Sequence, residues 1–213
     1  MLEAGTPGQI VILNGAPRSG KSSIATIIQN TFEGVWMNLG VDRFKPMTPD
    51  RCQPGIGLRP GGERPDLEPL VVLLYHAMYE AIAVHSRLGL NVVVDVAHHD
   101  SYSVPRGILR SCARQLLGLP VWFVGVRCPL TLVMERRRAT WGVSNDDGTV
   151  PAAVRLWQEA VHVPGIYDLE VDTAARSPEA CAELIRRRID QGPLPTAFQR
   201  LAALTVGEDR TSR

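Results

Sequence analysis

Residues 9–30, QIVILNGAPRSGKSSIATIIQN, place a glycine-rich, charged turn between an apolar run and a helical pattern. Ile10 to Leu13 is a β-branched apolar run, typical of a strand buried on both faces. Ser22 to Asn30 has the pattern of a helix. The turn from Gly15 to Ser22 matches G-x-x-x-x-G-K-[ST], and between a strand and a helix this motif predicts a loop that binds nucleoside triphosphate.

The residue types of this phosphate loop explain the prediction. Glycines let the main-chain N–H groups approach phosphate oxygens closely, and the following helix adds the positive end of its dipole. We expect Lys21 to bridge the β- and γ-phosphates and the Ser22 hydroxyl to ligate Mg²⁺. The Arg18 side chain is expected to contact either a phosphate or solvent, and the sequence does not favour one of the two. A glycine-rich turn with an incidental lysine is the alternative, and the flanking strand and helix disfavour it. The predicted nucleotide contacts of the loop are Gly15, Ala16, Pro17, Arg18, Ser19, Gly20, Lys21, Ser22 and Ser23.

Strand and helix patterns alternate along the rest of the chain, which predicts a parallel sheet covered by helices on both faces. We expect one α/β domain over residues 1–190 and a polar, frayed tail over 191–213. The segment 46–69 is dense in proline and glycine, so no regular element is predicted there and a long loop is expected. Further strands are predicted at 35–39, 91–95, 121–126 and 167–171, and further helices at 67–88, 108–117, 130–138, 151–162 and 177–190.

Composition narrows the class of protein. Apolar residues make up 45% of the 213 residues, and no apolar run approaches the roughly 20 residues that span a bilayer. The N-terminus has no signal-peptide pattern. The 23 basic and 22 acidic residues give a net charge of +1, so no bulk field attracts nucleic acid or lipid. The four cysteines have no CxxC spacing, which favours unpaired thiols. We expect a cytoplasmic protein with neither a nucleic-acid nor a membrane partner.

Two aspartates follow strand patterns and are candidates for the chemistry. Asp95 ends the valine run 92–94, where a carboxylate helps to hold Mg²⁺, although capping of the strand end is the alternative. Asp42 follows the second strand, at the sheet edge where ligands bind, and is our candidate for accepting the proton of an acceptor hydroxyl. Its alternative role is the N-cap of a helix. His98, His99 and Asp100 lack the further ligands of a metal site, so contact with substrate or plain loop polarity is favoured there.

Several stretches together resemble the chloramphenicol phosphotransferase-like proteins, which are P-loop kinases. They are ILNGAPRSGKSSI, LGVDRF, VVVD, VGVRC, the basic run 135–138, VH at 161–162 and YDLEVDT. The resemblance runs from about Gln9 to Arg188 and implies a three-layer P-loop NTPase fold with five parallel strands in the order 2-3-1-4-5. It also implies ATP bound by the phosphate loop, Asp42 as the general base, Arg136 stabilising the transferring phosphoryl group, and Thr173 near adenine.

A helical lid at about residues 130–150 is expected to close over the nucleotide, and a loop at about 43–69 to face the acceptor. A movable cation stabilises charge on a transferring phosphoryl group. Three consecutive arginines cannot all face one way, because a helix advances ~100° per residue. We favour Arg136, followed by Arg138 or Arg137, with a solvated basic face as the alternative. Trp36, Trp122 and Trp157 are read as core residues.

The predicted function is ATP- and Mg²⁺-dependent transfer of a phosphoryl group to a hydroxyl of a small molecule, with chloramphenicol as a candidate. A metabolic kinase for a sugar acid or polyol remains open, and a charged acceptor would use Arg51, Arg59 or Arg64. A nucleotide-binding module without an acceptor also remains open. A kinase of nucleic-acid ends is disfavoured by the near-neutral charge.

Overall fold

The computed structural model describes residues 5–141 and 150–205, and the strands form one parallel sheet. The strands are β1 Ile10–Asn14, β2 Trp36–Asn38, β3 Asn91–Val96, β4 Val121–Arg127 and β5 Leu169–Asp172. Their order in the sheet is β2-β3-β1-β4-β5. The predicted three-layer α/β fold with the order 2-3-1-4-5 is therefore confirmed.

Helices cover both faces of the sheet. They are α1 Lys21–Thr31, α2 Val41–Phe44, α3 Glu68–Arg87, α4 Ile108–Gln115, α5 Leu130–Trp141, α6 Ala152–Ala160, α7 Pro178–Gln191 and α8 Ala197–Ala203.

The helices pack on the strands in two layers. On one face, α3, α4 and α8 share a buried apolar cluster with the strands, and on the other face α1 and α7 do the same. A small third cluster joins α5 to α6. Two of the predicted core tryptophans, Trp36 and Trp122, are buried in the layer that contains α1 and α7.

The central strand β1 explains why its sequence is uniformly apolar. Ile10 and Ile12 belong to the cluster on one face, whereas Val11 and Leu13 belong to the cluster on the other. A parallel strand covered on both sides has no position at which a polar side chain would reach water. Leu13 lies opposite Asp95 of β3, so the phosphate loop and this carboxylate leave the sheet at the same edge.

The proline-rich segment before α3 contains three short 3-10 helices, Lys45–Met47, Asp50–Cys52 and Gly55–Gly57, and neither strand nor α-helix interrupts them. The prediction of a long loop without an extended regular element therefore holds, with these single turns added. Ile56 and Leu58 are buried against the sheet layer, which anchors the middle of the loop.

The prediction of a polar, frayed tail is wrong for part of residues 191–213. Residues 197–203 form α8, in which Ala197, Phe198 and Leu201 are buried. The Phe198 ring lies 5.2 Å from that of Phe123, and the apolar residues recur at helical spacing on the face that meets the sheet. Residues 206–213 lie outside the described part of the chain.

Within residues 5–141 and 150–205, no helix has the length and apolarity required to cross a bilayer. Helix α5 covers the first part of residues 130–150, the segment for which a lid is predicted. The rest of that lid, including the turn through Gly148, falls on residues 142–149, which lie outside the described residues.

Candidate active site

A cleft of about 710 Å³ opens at the carboxyl edge of the sheet. It brings together most of the residues that the sequence analysis selects, which come from the phosphate loop, α2, β3, α5 and the segment after β5. Gly15, Ala16 and Ser19 are mostly buried within the loop itself and do not line the cleft. The predicted residues that do line it are Pro17, Arg18, Gly20, Lys21, Ser22, Ser23, Asp42, Asp95, Arg136 and Thr173.

The phosphate loop has the backbone conformation of an anion cradle. Arg18 has φ 69° and Gly20 has φ 96°, both in the left-handed region. Such residues turn consecutive N–H groups towards one point, and the first N–H groups of α1 have no partner within the helix. At Gly15 a Cβ atom would lie 2.5 Å from the carbonyl oxygen of Val126, so only glycine fits where the loop leaves β1. These features fit a bound triphosphate.

Lys21 lies inside the loop and is held by it. Its Nζ donates hydrogen bonds of 2.8 Å to the carbonyl oxygens of Gly15 and Ala16, and the residue is only 8% exposed. Burial lowers the pKa of Lys21 to about 8, although the negative charges of Asp95 and Asp42 act in the opposite direction. The ammonium group is therefore charged at neutral pH but lies close to its titration range.

Ser22 and Asp95 form a pair at the floor of the cleft. The Ser22 hydroxyl donates a 2.6 Å hydrogen bond to Asp95 Oδ2. Gly40 lies against the same carboxylate, since a Cβ at this position would be 1.6 Å from Asp95 Oδ1. A hydroxyl and a carboxylate beside a phosphate loop are the hard oxygen donors that Mg²⁺ prefers. Across the described residues, no three His, Cys, Asp or Glu side chains form a group that could hold a metal ion.

Asp42 lies in the first turn of α2 and lines the cleft. The alternative role as an N-cap is not observed, because Gly40 occupies the N-cap position and no side chain caps this helix. Among the described residues, the Asp42 carboxylate has no hydrogen-bonding or ion-pair partner. It lies close enough to Lys21 for its charge to affect the pKa of the lysine. The geometry therefore leaves the carboxylate available to a ligand in the cleft.

Arg136 is hydrogen-bonded to Thr173, and both residues line the cleft. Its Nη1 donates a 3.0 Å hydrogen bond to Thr173 Oγ1, and its Nη2 donates one of 2.9 Å to the Thr173 carbonyl. Thr173 Oγ1 donates in turn to the carbonyl oxygen of Ser19 at 2.7 Å. The three residues link α5, the end of β5 and the phosphate loop. In contrast, Arg138 is exposed and is not part of the cleft lining, so the structure does not place it at the predicted nucleotide contact.

The structure adds cleft residues that the sequence analysis did not select. Trp157 is half-buried and lines the cleft, so its interpretation as a core residue is wrong. Tyr75 of α3 and Ile56 supply further apolar wall. Lys45 also lines the cleft. It lies three residues after Asp42, and because this spacing puts two residues on one helix face, Lys45 could have been identified from the sequence. No sequence pattern identifies Tyr75 as a cleft residue, because its position in the cleft depends on how α3 packs against the rest of the fold.

A buried amide fixes the loops around the cleft. Asn14 Nδ2, at the end of β1, donates to the Val161 carbonyl at 2.8 Å and to the Tyr167 hydroxyl at 2.9 Å, while its Oδ1 accepts the His98 N–H at 2.8 Å. His162 Nδ1 contacts the Tyr167 hydroxyl at 2.8 Å, and burial lowers the pKa of His162 to about 4. The family resemblance at residue 162 therefore corresponds to a neutral histidine that supports the loops.

Comparison with known proteins identifies a relative and two solved structures that are similar to this chain. "Putative O-phosphotransferase Rv2636" of Mycobacterium tuberculosis is 29% identical, with 93% of this chain and 90% of the relative covered. The structure of M. tuberculosis APS kinase CysC in complex with AMPPNP and APS superposes with a TM-score of 0.58 at 16% identity, over 88% of this chain and 100% of that one. A gluconokinase from Sinorhizobium meliloti gives a TM-score of 0.53 at 20% identity, over 92% and 94%.

A model of one protein family matches nearly the whole domain. It is described as chloramphenicol phosphotransferase-like protein, and it covers residues 8–190. This range contains every strand and every cleft residue described above. The chain belongs to the chloramphenicol phosphotransferase-like family.

Proposed function

We propose that this protein is an ATP- and Mg²⁺-dependent O-phosphotransferase that transfers the γ-phosphoryl group to a hydroxyl of a small molecule. The observation that carries the proposal is the position of Asp42. Its carboxylate lines the same cleft as Lys21 of the phosphate loop and has no partner among the described residues. A carboxylate placed opposite a phosphate cradle is the arrangement needed to take a proton from an attacking alcohol.

The steps follow from the residues in the cleft. Asp42 accepts the hydroxyl proton as the acceptor oxygen forms a bond to the γ-phosphorus, and the bond from that phosphorus to the bridging oxygen breaks to release ADP. Lys21 and the main-chain N–H groups of the loop bind the phosphate oxygens. Ser22 and Asp95 are the residues that would hold Mg²⁺, which neutralises charge on the phosphates when bound. Arg136 is proposed to stabilise the same charge from the wall that it shares with Thr173.

The apolar wall supports an acceptor with an uncharged, partly aromatic body. Ile56, Tyr75 and Trp157 line the same cleft as Asp42, and Lys45 adds a cation to that lining. Chloramphenicol, an aromatic alcohol, is therefore the first candidate to test.

The competing sugar-acid kinase would use arginines of the proline-rich loop. Arg59 instead pairs with Glu63, and Arg64 pairs with Asp66, both at the exposed surface. Arg51 is exposed and outside the cleft lining. No observation on these three residues favours an anionic acceptor.

The test is a phosphoryl-transfer screen with ATP, Mg²⁺ and a panel of neutral and acidic hydroxyl compounds that includes chloramphenicol. Products are detected by mass spectrometry as the addition of a phosphoryl group. We expect a neutral aryl alcohol to be phosphorylated, and Asp42→Asn to slow transfer by about 10²–10⁴-fold with ATP affinity retained. Normal transfer by Asp42→Asn contradicts the role of Asp42. ATP binding with no transfer to any compound favours the nucleotide-binding module instead.

A further inference from the structure

Thr173 connects the end of the sheet to the cleft. It is the residue after β5, it is 7% exposed and it lines the cleft. Its N–H donates a 3.1 Å hydrogen bond to the Arg127 carbonyl, which continues the pairing of β5 with β4 by one residue. The backbone of Thr173 is therefore fixed by the sheet, and its side chain lies between the phosphate loop and α5.

The hydroxyl of Thr173 has partners of opposite hydrogen-bonding type. Oγ1 lies 2.7 Å from the Ser19 carbonyl oxygen, which can only accept, and 3.0 Å from Arg136 Nη1, which can only donate. The Arg127 carbonyl oxygen is farther away, at 3.4 Å. A hydroxyl has one proton, so that proton is donated to Ser19 and a lone pair accepts from Arg136. A side chain without a hydroxyl loses both contacts.

The Arg136 guanidinium is fixed by acceptors on three segments of the chain. Nη2 donates to the Thr173 carbonyl at 2.9 Å. Nη1, besides its hydrogen bond to Thr173 Oγ1, lies 3.4 Å from the Arg18 carbonyl oxygen and 3.4 Å from Cys128 Sγ. The two contacts with Thr173 are the shortest of these. A free arginine side chain populates many rotamers, so the position of the charge depends mainly on Thr173.

The charge of Arg136 lies directly against the phosphate loop. A Cβ atom at Gly20 would be 3.4 Å from Arg136 Nη1 and 3.3 Å from Thr173 Cγ2. Gly20 is the N-cap of α1 and precedes Lys21, so the guanidinium is beside the N–H groups at the start of the helix that have no partner within it. A guanidinium and such N–H groups are both strong donors to phosphate oxygens.

We propose that Thr173 is a positioning residue: its hydroxyl holds the Arg136 guanidinium beside the phosphate loop, where the guanidinium binds the γ-phosphate of ATP. This assignment rests on the proposed function, in which Arg136 stabilises the charge of the transferring phosphoryl group. Thr173 does not touch the reacting atoms and acts through Arg136. Its role therefore differs from the contact with adenine that the family resemblance implies, because a contact with adenine would bind ATP and ADP alike.

The test compares two nucleotides that differ in the γ-phosphate. Calorimetric titrations of the full chain with Mg²⁺ measure the affinities for ADP and for AMPPNP, the non-hydrolysable analogue of ATP, without any acceptor. Thr173→Val keeps the shape and a methyl group of the side chain but removes the hydroxyl. We expect the preference for AMPPNP over ADP to fall about tenfold, with the ADP affinity retained. Thr173→Ser keeps the hydroxyl and should restore most of the preference.

Three outcomes of these titrations overturn the proposal. An unchanged preference for AMPPNP in Thr173→Val shows that the hydroxyl does not position a group at the γ-phosphate. An equal loss of affinity for both nucleotides assigns Thr173 to the fold of the loop or to the base. Loss of the preference in Thr173→Ser as well assigns the effect to the methyl group. The matched control is Thr31→Val, which removes an exposed hydroxyl that donates at 2.8 Å to the Ile27 carbonyl in α1, and it should bind both nucleotides as the wild type does.

Arg136→Met shows whether Thr173 acts through the arginine. Without the guanidinium, the preference for AMPPNP should fall at least as far as it does in Thr173→Val. In the Arg136→Met background, Thr173→Val should cause no additional loss, because no charge remains to be positioned. An Arg136→Met protein with the wild-type preference contradicts the proposal. A loss of the same size from Thr173→Val in both backgrounds also contradicts it, since Thr173 then acts independently of Arg136.

Binding and transfer distinguish the failure of this inference from the failure of the proposed function. If the titrations give the expected preference and coupling but the transfer screen finds no product, the proposed function fails, and Thr173 still positions Arg136 at a bound triphosphate. If transfer to a hydroxyl compound is found, and Thr173→Val has the wild-type transfer rate and the wild-type preference for AMPPNP over ADP, the inference fails alone.

Discussion

The Ser22 hydroxyl donates a 2.6 Å hydrogen bond to the Asp95 carboxylate. Ser22 is the second residue of α1, the helix that follows β1, and Asp95 belongs to β3, which pairs with β1 in parallel. The pair therefore depends on strand register, and it places two oxygen donors beside the phosphate loop. Gly40 completes the arrangement, because its lack of a side chain leaves room for the Asp95 carboxylate.

Gly40→Ala tests this contact without any assumption about function. Gly40 has φ −65°, which alanine adopts without strain, so the expected problem is the Cβ, which would lie 1.6 Å from Asp95 Oδ1 and 3.3 Å from the Asp95 backbone nitrogen. The substitution should lower the free energy of unfolding by about 1–3 kcal/mol, as overpacking does. In an Asp95→Ala background the carboxylate is gone and only the 3.3 Å contact with the backbone nitrogen remains, so most of the cost should disappear. Urea unfolding of the wild type, Gly40→Ala, Asp95→Ala and the double variant measures the coupling free energy between the two positions. If Gly40→Ala lowers the free energy of unfolding by the same amount in both backgrounds, Gly40 does not lie against the Asp95 carboxylate.

The pKa of Lys21 gives a prediction for nucleotide binding. Burial lowers this pKa to about 8, so the nucleotide-free protein loses the ammonium charge as the pH rises through 8. ATP affinity should weaken above that pH, by up to about tenfold per pH unit. Calorimetric titrations with ATP at pH 7.5 to 10 would measure the slope. The variant Lys21→Met should bind ATP more weakly and without this slope, and an identical slope in both proteins would refute the assignment.

The lowered pKa of Lys21 also affects how the free energy of unfolding depends on pH. The folded pKa of Lys21 lies below its unfolded value of about 10.4. The unfolded chain therefore binds more protons between about pH 8 and pH 10.4, and stability should rise with pH across this window. Lys21→Met should not show this rise in urea unfolding, and a rise of equal size in the variant would assign the effect to another group.

The sequence predicted the parts of the site whose signals are local. The phosphate loop is one continuous motif between a strand and a helix, and Asp95 and Asp42 directly follow strand patterns, so the parallel sheet brings them to one edge. The apolar pattern of α8 is also local: Ala197, Phe198 and Leu201 recur at helical spacing within an otherwise polar tail, and this spacing indicates a helix.

The remaining features depend on contacts between distant residues. Trp157 reads as a core residue because it lies in an amphipathic helix, and only the packing of α6 shows that its ring lines the cleft. Glu68 and Ser103 are 35 residues apart, and neither has a pattern that indicates the other. Arg136 faces Thr173 because α5 packs beside the end of β5. Single-sequence reasoning has no access to such pairs.

Helix α8 should contribute to stability although it follows the family-matched region. The Phe198 side chain is 4% exposed and packs against the rings of Phe123 and Tyr79. Phe198→Ala should lower the free energy of unfolding by about 3–5 kcal/mol, because it leaves a cavity in the core. Leu194→Ala, at a position that is 83% exposed, is the control and should change stability by about 0.5 kcal/mol or less. Similar small effects of both substitutions in urea unfolding would show that α8 is not part of the core.

Glu68 should stabilise the fold in a pH-dependent way. Burial alone would raise its pKa, but the hydrogen bonds from Ser103 and Arg106 hold the pKa below its ordinary value. The carboxylate therefore stabilises the folded state above its unfolded pKa of about 4.3, and this contribution is lost as the pH falls through the lowered folded pKa. At pH 7, Glu68→Gln should cost about 3 kcal/mol, as removal of one member of a buried pair does.

Urea unfolding of wild type and Glu68→Gln between pH 3 and pH 7 checks this dependence, and the difference between the two proteins should shrink towards the acid end. The matched control is Glu63→Gln. Glu63 pairs with Arg59 at the exposed surface, so its loss should cost less than about 1 kcal/mol. A difference between wild type and Glu68→Gln that stays constant with pH would mean that the charge of Glu68 does not stabilise the loop at residues 101–106, and that the shape of the side chain alone does so.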